Sequence, residues 1–352
     1  MTLLGVLELL AGIAVVALVL SDVFRSVVLP RAAQRSLRLG PVLGTSVLRG
    51  VLAWARRRPA KRHAVLGALG PLLIVIEMLI WAGLMIAGYG LMFHGLGDGL
   101  KPRGGYGDAL YAAGSVFLTM GFSGQEAVSP PARLIAVAAA FSGLAVVTLV
   151  VTFLLQVQTA LQRREVLVLR LRARTGPRPS GVGILLAHAR LDSESPDSLR
   201  GVFAAWEEWT ADVLLTHRAY PVLVYFRSTD EDCEWLAALG AVLDAAALVM
   251  VMRHKGASEH ATLCHRLGCR LTLELASQFG LRAPRAPALT EEAFLEALTA
   301  LRGAGYDTGS DDAAGWDAMQ RLRSRHMPPL LAVTDRFGIV EPTWEAHGTV
   351  SV

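Results

Sequence analysis

The chain has 352 residues, of which 53% are hydrophobic and only 18% are charged, whereas soluble domains carry about 25% charged residues. Its mean hydropathy is +0.43, and these values exclude a wholly soluble protein and a disordered one. Residues 1–162 hold 13 Lys and Arg against 6 Asp and Glu, while residues 163–352 hold 21 against 24. The uneven charge therefore predicts a basic, membrane-associated part joined to a mildly acidic part.

Three apolar stretches in the first part predict transmembrane helices. Residues 1–24 form the first; a signal peptide is the competing interpretation, but the stretch lacks a basic start and a small-x-small cleavage site. Residues 64–93 form an outer helix whose one charge is Glu77, and residues 131–158 form an inner helix with an uncharged centre.

The linker at 25–62 contains ten basic residues and no acidic one. By the positive-inside rule this linker and the chain after 160 are cytoplasmic, so residues 94–133 and the N-terminus face outward. An amphipathic pattern in the linker predicts a helix on the anionic inner leaflet, and nucleic-acid binding is disfavoured. The candidate lipid-binding residues are Arg56, Arg57, Arg58, Lys61 and Arg62.

The outward segment contains a short apolar helix, predicted over 108–118 with Asp108 as its N-cap. This helix is too short to cross a bilayer, so it must be re-entrant or interfacial. A glycine-containing run follows it. Its residues are Thr119, Met120, Gly121, Phe122, Ser123 and Gly124.

The order of span, short helix, Thr-x-Gly-aromatic run and span resembles the two-helix pore module of the bacterial potassium-channel family, here over residues 63–160. The resemblance implies a homotetramer in a bacterial inner membrane, with K⁺ as permeant ion and 119–124 as the selectivity filter. It also implies that Gly143, 20 residues beyond Ser123, is a gating hinge in the inner helix. No enzyme activity and no cofactor are expected.

The filter departs from the family's Thr-Val-Gly-Tyr-Gly at its last position, where Ser123 replaces a glycine. A residue other than glycine at positive φ costs roughly 1–2 kcal/mol. Gly124 would take that turn one residue later, with the loss of one layer of carbonyl ligands. The predicted function is passive cation conduction, potassium-like and modulated by the cytoplasmic part. The alternative is a non-conducting or non-selective membrane sensor or scaffold with a degenerate filter.

Polar residues inside the spans are further candidates. Thr148, Thr152 and Gln156 recur at helical spacing and either line the inner passage or hydrogen-bond between helices. Glu77 is an intramembrane acid, either a brace bonded to Ser115 or Ser142 or a proton-sensing group.

The cytoplasmic domain, 161–352, is predicted to be mostly helical, which makes the chain an all-α membrane protein. Residues 232–252 are very apolar and 236–252 could pass for a membrane span, but Asp244 and an acidic start favour a buried core helix. His260 and Cys264 lie four residues apart near His265 and Cys269, yet without a Cys-x-x-Cys pair no metal is predicted. The ligand of this domain is not readable from the sequence.

Overall fold

The computed structural model describes residues 2–27, 50, 54, 62–121, 124–191, 196–228, 233–252, 258–282 and 289–344. These residues are mostly helical, and the chain divides into two compact units. The first comprises 1–47 and 71–158, and the second comprises 48–70 and 159–352.

The first unit contains long apolar helices and one short helix. The elements that build it, two of which continue into the second unit, are α1 (Leu3–Val27), α3 (Leu69–Gly95), β1 (Leu100–Lys101), α4 (Tyr106–Phe117), β2 (Glu126–Ala127) and α5 (Pro130–Thr175). Its core is formed where the apolar faces of α1, α3 and α5 pack around α4. Met85 on α3, Ala113 on α4 and Ala139 on α5 are fully enclosed there.

Four glycines let α1 and α3 run side by side at backbone contact distance. A Cβ at Gly5 would lie 2.6 Å from the carbonyl oxygen of Gly95, and a Cβ at Gly12 would lie 2.5 Å from that of Gly88. Gly5 and Gly12 are seven residues apart on α1, and Gly88 and Gly95 are seven residues apart on α3. The two antiparallel helices therefore meet twice along one face. Small residues permit this close approach where lipid offers no hydrophobic driving force.

Polar side chains join the same two helices near both ends. His94 Nδ1 lies 2.8 Å from Glu8 Oε2, and Trp81 Nε1 donates to Asp22 Oδ2 at 2.9 Å. The acids of α1 are therefore paired with α3, and the helix seen at Leu3–Val27 is integrated into the unit.

The second unit is a helical assembly around one apolar helix. It contains α2 (Arg62–Gly67), the end of α5, α6 (Gly181–Leu191), α7 (Pro196–Ala219), α8 (Trp235–Met252), α9 (Ser258–Gln278), α10 (Glu291–Gly303) and α11 (Asp312–Phe337). Helix α8 packs against α6, α7, α9 and α11. The polar starts of α10 and α11 are capped by Thr290 and Asp311, whose side chains accept backbone N–H groups three residues on.

Four described helices are long and apolar enough to cross a membrane: α1, α3, α5 and α8. In the most apolar 18-residue stretch of α8, 89% of the residues are buried within the protein, compared with 22–33% in the corresponding stretches of the other three. The predicted buried core helix is thus found at Trp235–Met252. The chain is an all-α membrane protein, and a smaller share of each of its other three apolar helices is buried.

Two elements of the second unit differ from what their local sequence favours. The segment Pro221–Tyr225 is a 3₁₀ helix, although valines and an aromatic residue favour a strand. The last helix continues through Pro328 and Pro329 to Phe337. A proline removes one internal hydrogen bond and usually ends a helix, but here Met327, Leu330 and Val333 are buried, and this packing maintains the helix.

Candidate functional site

Helix α4 begins two residues earlier than predicted. Gly105 is the N-cap, and Asp108 lies at the third helical position, where its Oδ2 accepts the Gly105 backbone N–H at 2.8 Å. The prediction of Asp108 as N-cap was therefore wrong. The acid still serves the start of the helix, because a carboxylate three residues into a helix can reach back to the N-cap amide and it favours the positive end of the helix dipole.

The end of α4 is closed by backbone hydrogen bonds. The N–H of Thr119 donates to the carbonyl of Val116 at 3.0 Å, and that of Met120 donates to Ser115 at 2.7 Å. This pair of bonds needs a left-handed residue directly after the helix, and Thr119 has φ of 55°. A β-branched residue at positive φ is a strained outlier, costing about 1–2 kcal/mol. The strain is held at the first residue of the 119–124 run.

Two glycines in that run also have positive φ. Gly121 has φ of 77° and Gly124 has φ of 67°, values that favour glycine because it has no Cβ. The two residues between them, Phe122 and Ser123, lie outside the described residues. Gly124 is thus a left-handed residue directly after Ser123.

The segment that carries α4 and the run is tied together at its two ends. Strands β1 and β2 pair antiparallel, with Leu100 opposite Ala127 and Lys101 opposite Glu126. Gln125 Nε2 donates to the Pro102 carbonyl at 2.9 Å. The 102–125 segment therefore starts and ends at one small ladder, which holds the two ends of the segment together.

Gly143 lies where α5 meets the end of α4. A Cβ there would lie 2.0 Å from the Phe117 carbonyl oxygen, a separation that a backbone atom cannot accommodate without moving. Helix α5 runs without a break through this position. On the adjoining residue, Ser142 Oγ lies 3.0 Å from the Tyr89 hydroxyl of α3. Gly143 is therefore a point of close packing between α4 and α5, and its role as a hinge stays a prediction.

The polar residues farther along α5 lie on its open side. Thr148, Thr152 and Gln156 are exposed, whereas Val146, Val150 and Val157 on the other side are buried. The Thr148 and Thr152 hydroxyls each donate to the carbonyl four residues earlier, at 2.9 Å. Each hydroxyl donor is thus bonded to its own helix, while its oxygen still has acceptor capacity.

Glu77 lies half-buried in α3. The proposed brace to Ser115 was wrong, because the buried Ser115 hydroxyl has no hydrogen-bond partner in the described part of the chain. Ser142, the other proposed partner, pairs with Tyr89 and donates to the Ala139 carbonyl at 3.0 Å. The proposed lipid-binding residues Arg56, Arg57, Arg58 and Lys61 lie outside the described residues, and of Arg62 only the backbone, at the start of α2, is described.

Sequence reasoning missed the buried cation that holds the end of α5 in the second unit. Arg164 is 1% exposed and donates to the carbonyls of Leu223 and Phe226 at 3.2 and 2.9 Å. Its guanidinium pairs with Glu165 at 2.9 Å and lies 4.8 Å from the centre of the Trp235 ring. In the sequence Arg164 is one of several arginines after the inner helix, and their spacing does not distinguish the buried one from the exposed ones.

His217 completes this cluster and makes its stability sensitive to acid. Burial, reinforced by the charge of Arg164, lowers the pKa of His217 to about 3. The unfolded residue titrates near 6.5, so below that pH the unfolded chain binds a proton that the folded chain refuses. Stability is therefore lost as pH falls from 6.5 towards 3.

We expect His217→Phe to remove this loss, because its ring keeps the contact with Trp235, whose centre lies 5.1 Å from that of the histidine. The wild-type free energy of unfolding of the second unit falls relative to the variant by about 1.4 kcal/mol per pH unit below 6.5. Urea titrations from pH 8 to 4.5, followed by tryptophan fluorescence, measure the difference. The free energies of unfolding at pH 7.5–8 serve as the reference. Parallel pH profiles for the two proteins would contradict the assignment of this acid sensitivity to His217.

Comparison with known proteins places the chain among membrane proteins. No family model matches it, and no solved structure matches it. It is 25% identical over 196 residues to an uncharacterized membrane protein, YdjJ, of Bacillus subtilis (strain 168). That match covers 54% of this chain and 56% of the Bacillus protein, so the similarity spans about half the length of each.

Proposed function

We propose that the chain is one subunit of a potassium-like cation channel that conducts passively through a homotetrameric pore. The observation that carries the proposal is the end of α4, a 12-residue helix. At 1.5 Å per residue it spans about 18 Å, too little to cross a hydrocarbon core of about 30 Å. The left-handed residues Thr119 and Gly121 follow the helix, and the run is flanked along the chain by two apolar helices.

Electrostatics favour a cation beyond this end. The C-terminal end of a helix carries about half a negative charge. The carbonyls of Ser115 and Val116 already accept backbone N–H groups, so those of the 119–124 run are the backbone groups proposed to coordinate the ion. A filter built from carbonyl oxygens replaces the hydration shell of a cation.

One chain supplies one such run, and a ring of carbonyls needs several copies around an axis. The open side of α5 supports assembly because it carries large apolar side chains that the described part of the chain leaves exposed. Leu134, Val137, Phe141 and Leu144 are each exposed by 63–74%. In the proposed tetramer part of this side meets neighbouring copies and lipid, and Thr148, Thr152 and Gln156 line the inner passage.

Helix α5 offers a mechanical route for control. It is continuous from Pro130 to Thr175, so it carries both Gly143 and the buried Arg164. We propose that rearrangements of the cytoplasmic domain are transmitted to the inner helix along this continuous helix. The N-terminus is proposed to face outward and the second unit the cytoplasm of a bacterium, with the 25–62 linker on anionic lipid. No enzymatic activity and no cofactor are part of the proposal.

Cation flux into proteoliposomes tests the proposal, with protein-free liposomes as the blank and Ser123→Gly as the matched variant. We expect wild-type flux that is greater for K⁺ than for Na⁺. Restoring the glycine of the family's filter at position 123 is expected to raise the K⁺/Na⁺ flux ratio, by about tenfold for each 1.4 kcal/mol of added preference.

The other outcomes separate the alternatives. Absence of flux from both proteins would refute the channel. Flux from Ser123→Gly alone would favour a scaffold or sensor with a degenerate filter, because Ser123 is the specific departure from a glycine-bearing filter. Equal K⁺ and Na⁺ flux in the wild type, with K⁺ preference in the variant, would refute K⁺ selectivity in the native protein and identify Ser123 as its cause.

A further inference from the structure

A second cluster with recognisable chemistry lies inside the second unit. His265 and Cys269 are one turn apart on α9, and His326 approaches them from α11. One potential ligand atom from each residue lies within 4.8 Å of the other two. His265 Nε2 is 3.2 Å from His326 Nδ1 and 3.9 Å from Cys269 Sγ. Two nitrogens and one sulfur therefore converge on one point.

The separation of the two nitrogens matches a tetrahedral zinc site. With Zn–N bonds of about 2.0–2.1 Å and Zn–S bonds of about 2.3 Å, neighbouring ligands lie about 3.3 Å (N to N) and about 3.6 Å (N to S) apart. The observed nitrogen pair, at 3.2 Å, agrees closely. Cys269 Sγ lies 3.6 Å from His265 Nδ1 and 3.9 Å from Nε2, so the cysteine side chain must rotate to bring its sulfur to a metal bound at Nε2. Imidazole and thiolate are the ligand types that zinc prefers.

The surroundings hold one histidine in the orientation that a ligand needs. Asp244 Oδ1 lies 3.1 Å from His326 Nε2, so Nε2–H donates to the carboxylate and the Nδ1 lone pair faces His265. The carboxylate also accepts from Arg323 Nε at 3.2 Å. A carboxylate behind a histidine is the usual outer partner of a zinc ligand, where it fixes the tautomer and the ring orientation.

His265 is also available as a ligand. Burial, together with the neighbouring His326, lowers the pKa of His265 to about 4, so the ring is neutral at pH 7. Cys269 is only partly buried, which leaves the cluster reachable from solvent. Cys264, one turn earlier on α9, is fully buried and does not belong to the cluster.

We propose that His265, Cys269 and His326 bind one Zn²⁺ ion, with Asp244 as the outer carboxylate and the fourth position open to water. Binding joins α9 to α11 next to the core helix α8, and Cys269 gives up its proton to solvent when the thiolate forms. The proposal does not depend on conduction. The proposed site differs from the His260 and Cys264 pair noted in the sequence. Its third ligand, His326, lies 61 residues from His265 along the chain.

The competing arrangement needs no metal. Cys269 S–H could donate to His265 Nδ1, 3.6 Å away, His265 Nε2–H to His326 Nδ1, and His326 Nε2–H to Asp244. In that relay every group is satisfied by hydrogen bonds alone. A metal-binding measurement decides between the two arrangements.

The test uses the full chain in detergent, stripped of metal with a chelator and titrated with Zn²⁺ in a calorimeter. We expect one Zn²⁺ per chain and a thermal midpoint that rises with the ion, since a ligand bound only by the folded state stabilises it. Cys269→Ser and His326→Gln are expected to weaken binding at least tenfold, whereas Cys264→Ser serves as the matched control and retains wild-type affinity.

Replacement of zinc by Co²⁺ gives a readout specific to the sulfur ligand. A thiolate-to-cobalt charge-transfer band in the near ultraviolet is expected for the wild type and Cys264→Ser and is absent in Cys269→Ser. Wild-type protein that binds no stoichiometric Zn²⁺, or a Co²⁺ spectrum without the thiolate band, would overturn the proposal in favour of the hydrogen-bonded relay. Both readouts are decisive in the wild type, so the proposal can be refuted even where a variant fails to fold.

Discussion

Arg164→Met is expected to lower the free energy of unfolding of the second unit by about 3–5 kcal/mol, the range for breaking a buried, hydrogen-bonded charge. The guanidinium donates to the carbonyls of Leu223 and Phe226, and it fills the space beside Trp235. Methionine replaces part of the volume but none of the donors. The Phe226 carbonyl therefore loses the Arg164 donor, and the Leu223 carbonyl keeps the Phe226 backbone N–H as its donor.

The neighbouring Arg163 provides the matched control. Its side chain is 64% exposed and lies 3.5 Å from Asp212, a surface pair worth about 0–1 kcal/mol. Urea unfolding of the full chain in detergent, followed by tryptophan fluorescence, compares Arg163→Met with Arg164→Met. Similar losses from the two substitutions would show that Arg164 does not hold the end of α5 in the way its contacts indicate.

Gly143→Ala is expected to reduce cation flux at least tenfold and to destabilise the first unit by about 1–3 kcal/mol, the usual cost of overpacking. The added methyl group would lie 2.0 Å from the Phe117 carbonyl oxygen. That oxygen belongs to the last turn of α4, so the methyl group can be accommodated only if α4 or α5 moves. A shift of α4 displaces Thr119 and the run after it.

Gly83→Ala is the matched control for this substitution. Gly83 is on α3, and a Cβ there meets nothing within 4 Å, so alanine should leave flux unchanged and add about 0.5–1 kcal/mol of stability. Thermal unfolding in detergent and proteoliposome flux measure the pair. A Gly143→Ala protein with altered flux and undiminished stability would show that the glycine acts as a hinge and not through close packing.

The long elements of the fold could be predicted from the sequence because each depends on local composition. Uninterrupted apolar stretches predicted α1, α3 and α5, and an apolar stretch with an acidic start predicted the buried helix α8. Boundaries were less predictable. Helix α4 starts at Tyr106 because Gly105 takes the cap, and α11 passes two prolines because its packing outweighs the two lost hydrogen bonds.

The candidate site was predictable as a segment but not in its contacts. The glycines and the short helix marked 102–124, whereas the left-handed Thr119 breaks the local preference of a β-branched residue. The bonds from Thr119 and Met120 back to the end of α4 hold it in that conformation. For Glu77 the sequence suggested a contact that does not form. Its proposed partner Ser142 is hydrogen-bonded to Tyr89 instead.

By itself the sequence determined that this is a helical membrane protein in which the loop between two spans contains a short helix. It could do so because hydropathy and the positions of glycine and proline are local properties. Only the tertiary structure decided which polar residues act together. Arg164 beneath Trp235, Gly143 against Phe117, and His326 beside His265 each join positions 26 to 71 residues apart. Such meetings depend on how helices pack, and the spacing of residues along the chain carries no record of that packing.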